Sequence, residues 1–301
     1  MVAFDSKLLN IKVSYAIYLI VYTVTFEYLF LMAALVDVEG SQNRSYTMNG
    51  NEVIIKTENL EKSFSIGGKK QTIINDLDLE IYKGDFTVIM GSSGAGKSTL
   101  LYSLSGMDKP SDGHITYCGK DITKMNDDKL AVFRRKHCGF VFQQVHLIDS
   151  MSVMDNVIST GMLTGQKQKN LKKKASNLFG KVGISQDMTE KFSSQMSGGE
   201  AQRCAMVRAL INNPDVVFAD EPTGALNSAG VKAVLDVLTD INDSGQSVVM
   251  VTHDIKSARR GTRIIYLKDG GILGECRLGK YISGDKERHQ KLRTFLEEMG
   301  W

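Results

Sequence analysis

Only four of the 301 residues are cysteine, at positions 118, 138, 204 and 276, and no two form a C-x-x-C pair. Cys138 has His137 beside it, but no second ligand pair follows at zinc spacing. The four are therefore expected to be free, buried thiols of a reducing compartment, which makes the chain cytosolic. Charge of one sign is also scarce: 37 Lys and Arg against 34 Asp and Glu leave +3. That is too weak to make nucleic acid the main partner. No internal repeat is visible, so each chain holds a single working unit.

What is present is an ordinary globular composition, 42% hydrophobic and 24% charged, with enough chain to bury a sizeable core. Residues 1–47 differ from the rest. They hold an apolar run, "SYAIYLIVYTVTFEYLFLMAALV" at 14–36, which has the length of a membrane-spanning helix, about 20 residues. A polar linker, "DVEGSQNRSYTMNGN", follows it with no hydrophobic periodicity.

A patterned segment starts near Glu52. "EVIIKTENLEKSF" opens it as β-structure, and "TIINDLDLEI" reads as a half-buried strand through Ile74, Leu77, Leu79 and Ile81. "DFTVIM" and "GFVFQQ" read as strands covered on both faces. Between them, residues 127–136 are charged and helical in tendency, and residues 150–212 carry helix patterns almost throughout. In "QKQKNLKKKASNLFGKVGI" the lysines read as a solvated face with Leu171, Leu178 and Val182 underneath. Strand and helix then alternate: "DVVFADEP", a helix over about 229–244, "SVVMVTHD", a short helix and "RIIYLKDGGILGE". Such alternation predicts a doubly wound, mostly parallel sheet. The tail from Gly284 to Trp301 sets Leu292, Phe295, Leu296 and Met299 on one helical face, which predicts a terminal helix docked on the body.

The chemistry begins at "GSSGAGKST", which is Gly91, Ser92, Ser93, Gly94, Ala95, Gly96, Lys97, Ser98 and Thr99. It fits G-x-x-x-x-G-K-[ST] between a strand and a helix. The glycines let successive N–H groups turn inward, and the new helix adds its positive end. Lys97 can reach terminal phosphates as a point charge, and Ser98 can put its hydroxyl on Mg²⁺. "DVVFADEP" supplies a second element, a buried strand ending in Asp220 and Glu221. Acids at the carboxyl end of such a strand share the sheet edge where ligands bind. Asp220 suits Mg²⁺, and Glu221 can orient or deprotonate a water attacking the γ-phosphate. Together the two motifs make a nucleoside triphosphatase the default.

"MSGGEAQR", Met196 to Arg203, narrows the reading. With the preceding motifs it resembles the ATPase of the ATP-binding-cassette (ABC) transporters over residues 52 to about 276. The resemblance implies a P-loop α/β core with an antiparallel β-subdomain and a helical signature subdomain at about 145–212. The cassette would span 48–276, and 277–301 would form a C-terminal amphipathic helix. In that family Ser197, Gly198, Gly199 and Glu200 would contact the γ-phosphate of ATP held by a second copy. Phe64 matches the aromatic that stacks on adenine. Gln143 matches the glutamine that senses Mg²⁺ and water, with Gln144 as fallback, and His253 matches the histidine on the γ-phosphate. One position departs. "TGALNS" puts Asn227 where the family usually has Asp, which keeps the hydrogen-bonding shape but loses the charge.

The resemblance further implies ATP and Mg²⁺ as cofactors and a nucleotide-sandwich dimer. It implies a separate multi-helix permease at the cytoplasmic face of the membrane. "AVFRRKHCGFVFQQVHLI" and "DEPTGALNS" resemble the subgroup serving lipoprotein release, macrolide efflux and antimicrobial-peptide or bacitracin resistance. Two alternatives stay open: an ATPase regulating an envelope or cell-division complex without transport, and a soluble ABC ATPase. The latter tend to carry two cassettes, a coiled coil or a zinc module, none of which this chain shows.

The apolar run fits this scheme poorly as a span. Glu27 is the only charge in residues 13–36, with Lys7 and Lys12 before the run and Asp37 and Glu39 after it. Positive-inside orientation would put the ATPase outside, away from ATP. A cleaved signal fails for the same reason and lacks a small-residue cleavage site. Four tyrosines and a central acid also suit lipid badly. The remaining readings are a start chosen too far upstream and a helix against the permease or membrane surface. Met48, four residues before Glu52, makes the first the expectation.

Overall fold

The computed structural model describes Thr47, Met48 and residues 51–301. The apolar run at 14–36 and the linker up to Tyr46 lie outside the described residues. Strands β1 (Thr47–Met48) and β2 (Asn51–Ile66) pair antiparallel, and β2 also pairs antiparallel with β3 (Lys69–Tyr82). Next, β4 (Phe86–Met90) runs through the glycine loop into helix α1 (Lys97–Leu104). β5 (Asp112–Tyr117) and β6 (Lys120–Asp121) return to the first sheet, where β5 pairs with β2.

After α2 (Asp127–His137) and β7 (Cys138–Phe142) come three helices, α3 (Val153–Met162), α4 (Gln168–Lys181) and α5 (Gly198–Leu210). The chain then alternates through β8 (Val216–Asp220), α6 (Ser228–Asp243), β9 (Ser247–Val251) and α7 (Ile255–Ala258). It closes with β10 (Arg263–Lys268), β11 (Gly271–Arg277) and α8 (Lys286–Glu298). The second sheet has the order β11-β10-β4-β9-β8-β7. All its pairings are parallel except β10 with β11.

The apolar runs explain this sheet. Every residue of β4 and β9 is buried, as a strand covered on both faces requires. Alternate side chains go to opposite faces. Phe86, Val88, Val217, Ala219, Val248 and Met250 join the core shared with α3 to α6 and α8. Ile89, Val216, Phe218, Val249 and Val251 join the core beneath α1, α2 and the first sheet. Helix starts are fixed by short polar caps: Asn126 accepts from Lys129 N at 2.9 Å, and Ser152 from Asp155 N at 3.1 Å.

The final helix is tied down by a buried guanidinium. Arg288, 4% exposed, donates to the carbonyls of Arg259, Leu278, Gly279, Lys280 and Gly261. Leu292 and Leu296 of the same helix are fully buried in the core.

Two expectations need correction, the burial of all four cysteines and the packing of the lysine-rich helix. Cys118 is exposed, unlike Cys138, Cys204 and Cys276: it sits in the β5–β6 turn at φ 46°. His137 pairs with Asp215, its Nδ1 lying 2.6 Å from Oδ2. Under α4 the buried residues are Leu171, Ala175 and Phe179, while Leu178 is half-buried. Val182 is buried just past the helix end. Lys174 leaves the solvated face and donates to the carbonyl of Ile211. Among the described residues, no helix is long and apolar enough to cross a membrane.

Candidate functional site

β4 delivers the chain to Gly91 at the carboxyl edge of the sheet. A Cβ on Gly91 would lie 2.2 Å from the carbonyl oxygen of Leu267, so the loop is butted against β10. Gly96, at φ 94°, caps α1, and a Cβ there would meet Ile74 Cδ1 at 2.9 Å and Ile73 O at 3.0 Å. Only glycine satisfies both the backbone and the space. Lys97 Nζ donates to Gly91 O at 3.0 Å and Ser92 O at 2.8 Å, holding the ammonium over the loop. Burial pulls the Lys97 pKa below the lysine range, against the nearby charges of Glu221 and Asp220.

Asp220 ends β8, in register with Phe142 of β7 and Val251 of β9. Ser98 Oγ donates to its Oδ1 at 2.9 Å, and Tyr102 OH donates to its Oδ2 at 2.7 Å. Burial, then the contact with Asp220, pushes the Tyr102 phenol up to about 12, so it stays a donor at working pH. A hydroxyl and a carboxylate in contact are the hard oxygen donors Mg²⁺ takes, and this pair fits that ion. Gln143 follows β7 and lies against Gly224, where a Cβ would stand 2.8 Å from its Nε2.

Glu221 begins the next loop at φ 45°, a left-handed backbone uncommon for a non-glycine residue. Its Oε1 accepts from the backbone N–H of His253 at 3.0 Å and lies 2.7 Å from His253 Nδ1. A carboxylate only accepts, so that ring nitrogen carries the proton. Oε2 accepts from the buried Thr252 hydroxyl at 3.1 Å. The carboxylate is thus aimed by three donors. His253 itself stays open, its side chain 72% exposed, and can reach a ligand.

A cleft of about 410 Å³ brings Phe64, Lys97, Ser98 and Glu221 together with Ser93 and Thr99. Phe64 is 40% exposed on β2, with Lys62 Nζ 4.8 Å above its ring. A larger cavity, about 690 Å³, lies between Lys83, Asp215 and Ser247 and contains none of these side chains. Asp215 and Ser247 mark the amino ends of β8 and β9, the wrong edge for a ligand in this architecture. The smaller cleft is the site.

Ser197 to Glu200 do not line that cleft. Ser197 caps α5, and its backbone N–H and hydroxyl both donate to Glu200 Oε2 at 2.8 Å. Those bonds hold Glu200 below the ordinary carboxylate range. A Cβ on Gly199 would stand 3.1 Å from Gly230 Cα, and one on Gly198 3.3 Å from Leu226. The segment therefore packs on the loop that contains Asn227, which caps α6 by accepting from Gly230 N at 2.9 Å. Two residues were missed from the sequence, Tyr102 and Thr252. Tyr102 carried one signal: it stands four residues after Ser98, on the same helix face.

Comparison with known proteins identifies the family. The family model described as "ABC transporter" matches residues 74–224. The bacitracin export ATP-binding protein BceA of Halalkalibacterium halodurans is 36% identical over 248 residues, 82% of this chain and 96% of that protein. The macrolide export ATP-binding/permease protein MacB 2 of Yersinia pestis bv. Antiqua is 38% identical over 224 residues. That match covers 74% of this chain but 33% of MacB 2, so the chain spans about a third of that relative's length. A dimeric post-hydrolysis structure of the ATP-binding cassette MJ0796, bound to ADP and Pi, superposes with a TM-score of 0.70 at 35% identity. It covers 76% of this chain and all of its own. With the phosphate loop, the Asp-Glu strand end and the signature helix in one fold, this chain belongs to the ABC transporter family.

Proposed function

We propose that the chain is the ATP-hydrolysing subunit of an exporter, working with a separate multi-helix permease at the cytoplasmic face of a membrane. The carrying observation is Glu221, aimed by Thr252 and His253 into the cleft that Lys97 and Ser98 share. In this reading the backbone of Gly91 to Thr99 cradles the phosphates, Lys97 neutralises the β- and γ-phosphates, and Phe64 stacks on the adenine. Ser98, Gln143 and Asp220 would hold Mg²⁺, which would neutralise charge on the phosphates. Glu221 orients or deprotonates the attacking water, and His253 contacts the γ-phosphate.

Ser197 to Glu200 complete the site of a second copy, which is consistent with their absence from this chain's own cleft. A lone chain would then be a slow ATPase, because half of each site is missing. Closure on ATP and reopening after hydrolysis would drive the permease, since the two states differ in nucleotide contacts. The named relatives export bacitracin and macrolides, which supports antibiotics or peptides as the cargo class, with lipoproteins in the wider subgroup. The cassette would occupy residues 48–276 and the tail helix 277–301.

Glu221→Gln tests the reading. It should keep ATP binding, lower turnover by about 10²-fold or more, and accumulate as an ATP-bound dimer in gel filtration. A wild-type hydrolysis rate would overturn it.

A further inference from the structure

We propose that Tyr102 is a positioning residue that fixes the plane of the Asp220 carboxylate and so sets the affinity of the site for Mg²⁺. The inference rests on the reading above that Asp220 and Ser98 help to hold that ion. Ser98 and Tyr102 stand four residues apart on α1, on one face of the helix. Their hydroxyls take one oxygen each of the same carboxylate, at 2.9 Å and 2.7 Å. An aspartate χ2 is a broad, two-fold torsion with little preference of its own. One donor alone leaves the group free to turn about that contact. Two donors on separate oxygens, both carried by one helix, hold it still. The half-buried carboxylate thus keeps one oxygen turned to Ser98.

The phenol is doing something that packing does not require. Tyr102 is only half-buried, and its ring already sits on the core beneath α1. Phenylalanine would keep that contact and lose only the bond to Oδ2. Groups that orient a metal-binding carboxylate in this way typically change metal affinity by about 10–100-fold when removed.

The test uses the full chain and a fluorescent ATP analogue. Its affinity is measured in EDTA and over a series of free Mg²⁺ concentrations, for the wild type and Tyr102→Phe. The expected result is unchanged affinity in EDTA and about a tenfold rise in the Mg²⁺ concentration that gives half the metal-dependent gain. A purely structural tyrosine would weaken binding equally with and without the ion, and that result would overturn the inference. So would an unchanged Mg²⁺ half-point, or a Tyr102→Phe chain that no longer folds by circular dichroism. If the wild type itself shows no Mg²⁺-linked binding, the metal reading falls and takes the inference with it. A wild type with Mg²⁺-linked binding and a variant with the same Mg²⁺ half-point removes the inference alone.

Discussion

Oδ1 of Asn227 accepts the backbone N–H of Gly230 at 2.9 Å and caps helix α6. Asparagine and aspartate serve this role about equally, and alanine does not. Asn227→Asp should therefore fold as the wild type does and bind ATP unchanged, with a modest change in ATPase rate or cooperativity. Asn227→Ala should lose about 1 kcal/mol of stability in a thermal melt. A large loss of nucleotide affinity in Asn227→Asp would show that the residue belongs to the primary site rather than to the loop beside it.

Lys97 holds its ammonium over the phosphate loop through the Gly91 and Ser92 carbonyls. In the proposed reading, Lys97→Ala removes the main fixed positive charge that would face the triphosphate. ATP affinity should fall by about tenfold or more, the scale of one lost charge-assisted contact. Equal affinity in a fluorescent-nucleotide titration would mean that the loop has been misread.

Thr252 has no exposed surface, and its hydroxyl joins Glu221 Oε2 to the backbone N–H of Asp254. Thr252→Val keeps the shape and drops both bonds. Turnover should fall by about tenfold while ATP affinity holds, on the scale of a lost hydrogen bond to a charged group. Thr252→Ser, which keeps the hydroxyl, should recover most of the rate. Unchanged turnover in Thr252→Val would show that the Glu221 carboxylate needs only its His253 donors.

Much of the site was legible because its parts are local in sequence. Gly91 to Thr99 declare a phosphate loop by spacing alone, and the buried run before Asp220 places that acid at a sheet edge. The partners of those groups are not local. Tyr102 meets Asp220 across 118 positions, and Thr252 meets Glu221 across 31. No periodicity encodes such a contact. Phe179 replaces Leu178 beneath α4 because one helix position turns a side chain by about 100°, finer than a lysine-rich pattern can resolve. Cys118 fails differently: a cysteine is usually buried, but this one stands in a tight turn between two short strands and is exposed. The two sheets were expected as classes, yet their strand order depends on pairings far apart in the chain.

The buried guanidinium of Arg288 sets where the protein can be cut. The cassette expected from the sequence ends at about residue 276, and a truncation planned from that expectation would stop there. Such a chain would leave the carbonyls of Arg259 and Gly261 without that donor. It would also open to water the seat that Leu292 and Leu296 fill in the main core. A protease that nicked the stretch before Lys286 would release no independent tail, since the helix stays plugged into the body it left. For expression, the durable end point therefore lies beyond Met299, some way past the last recognisable motif.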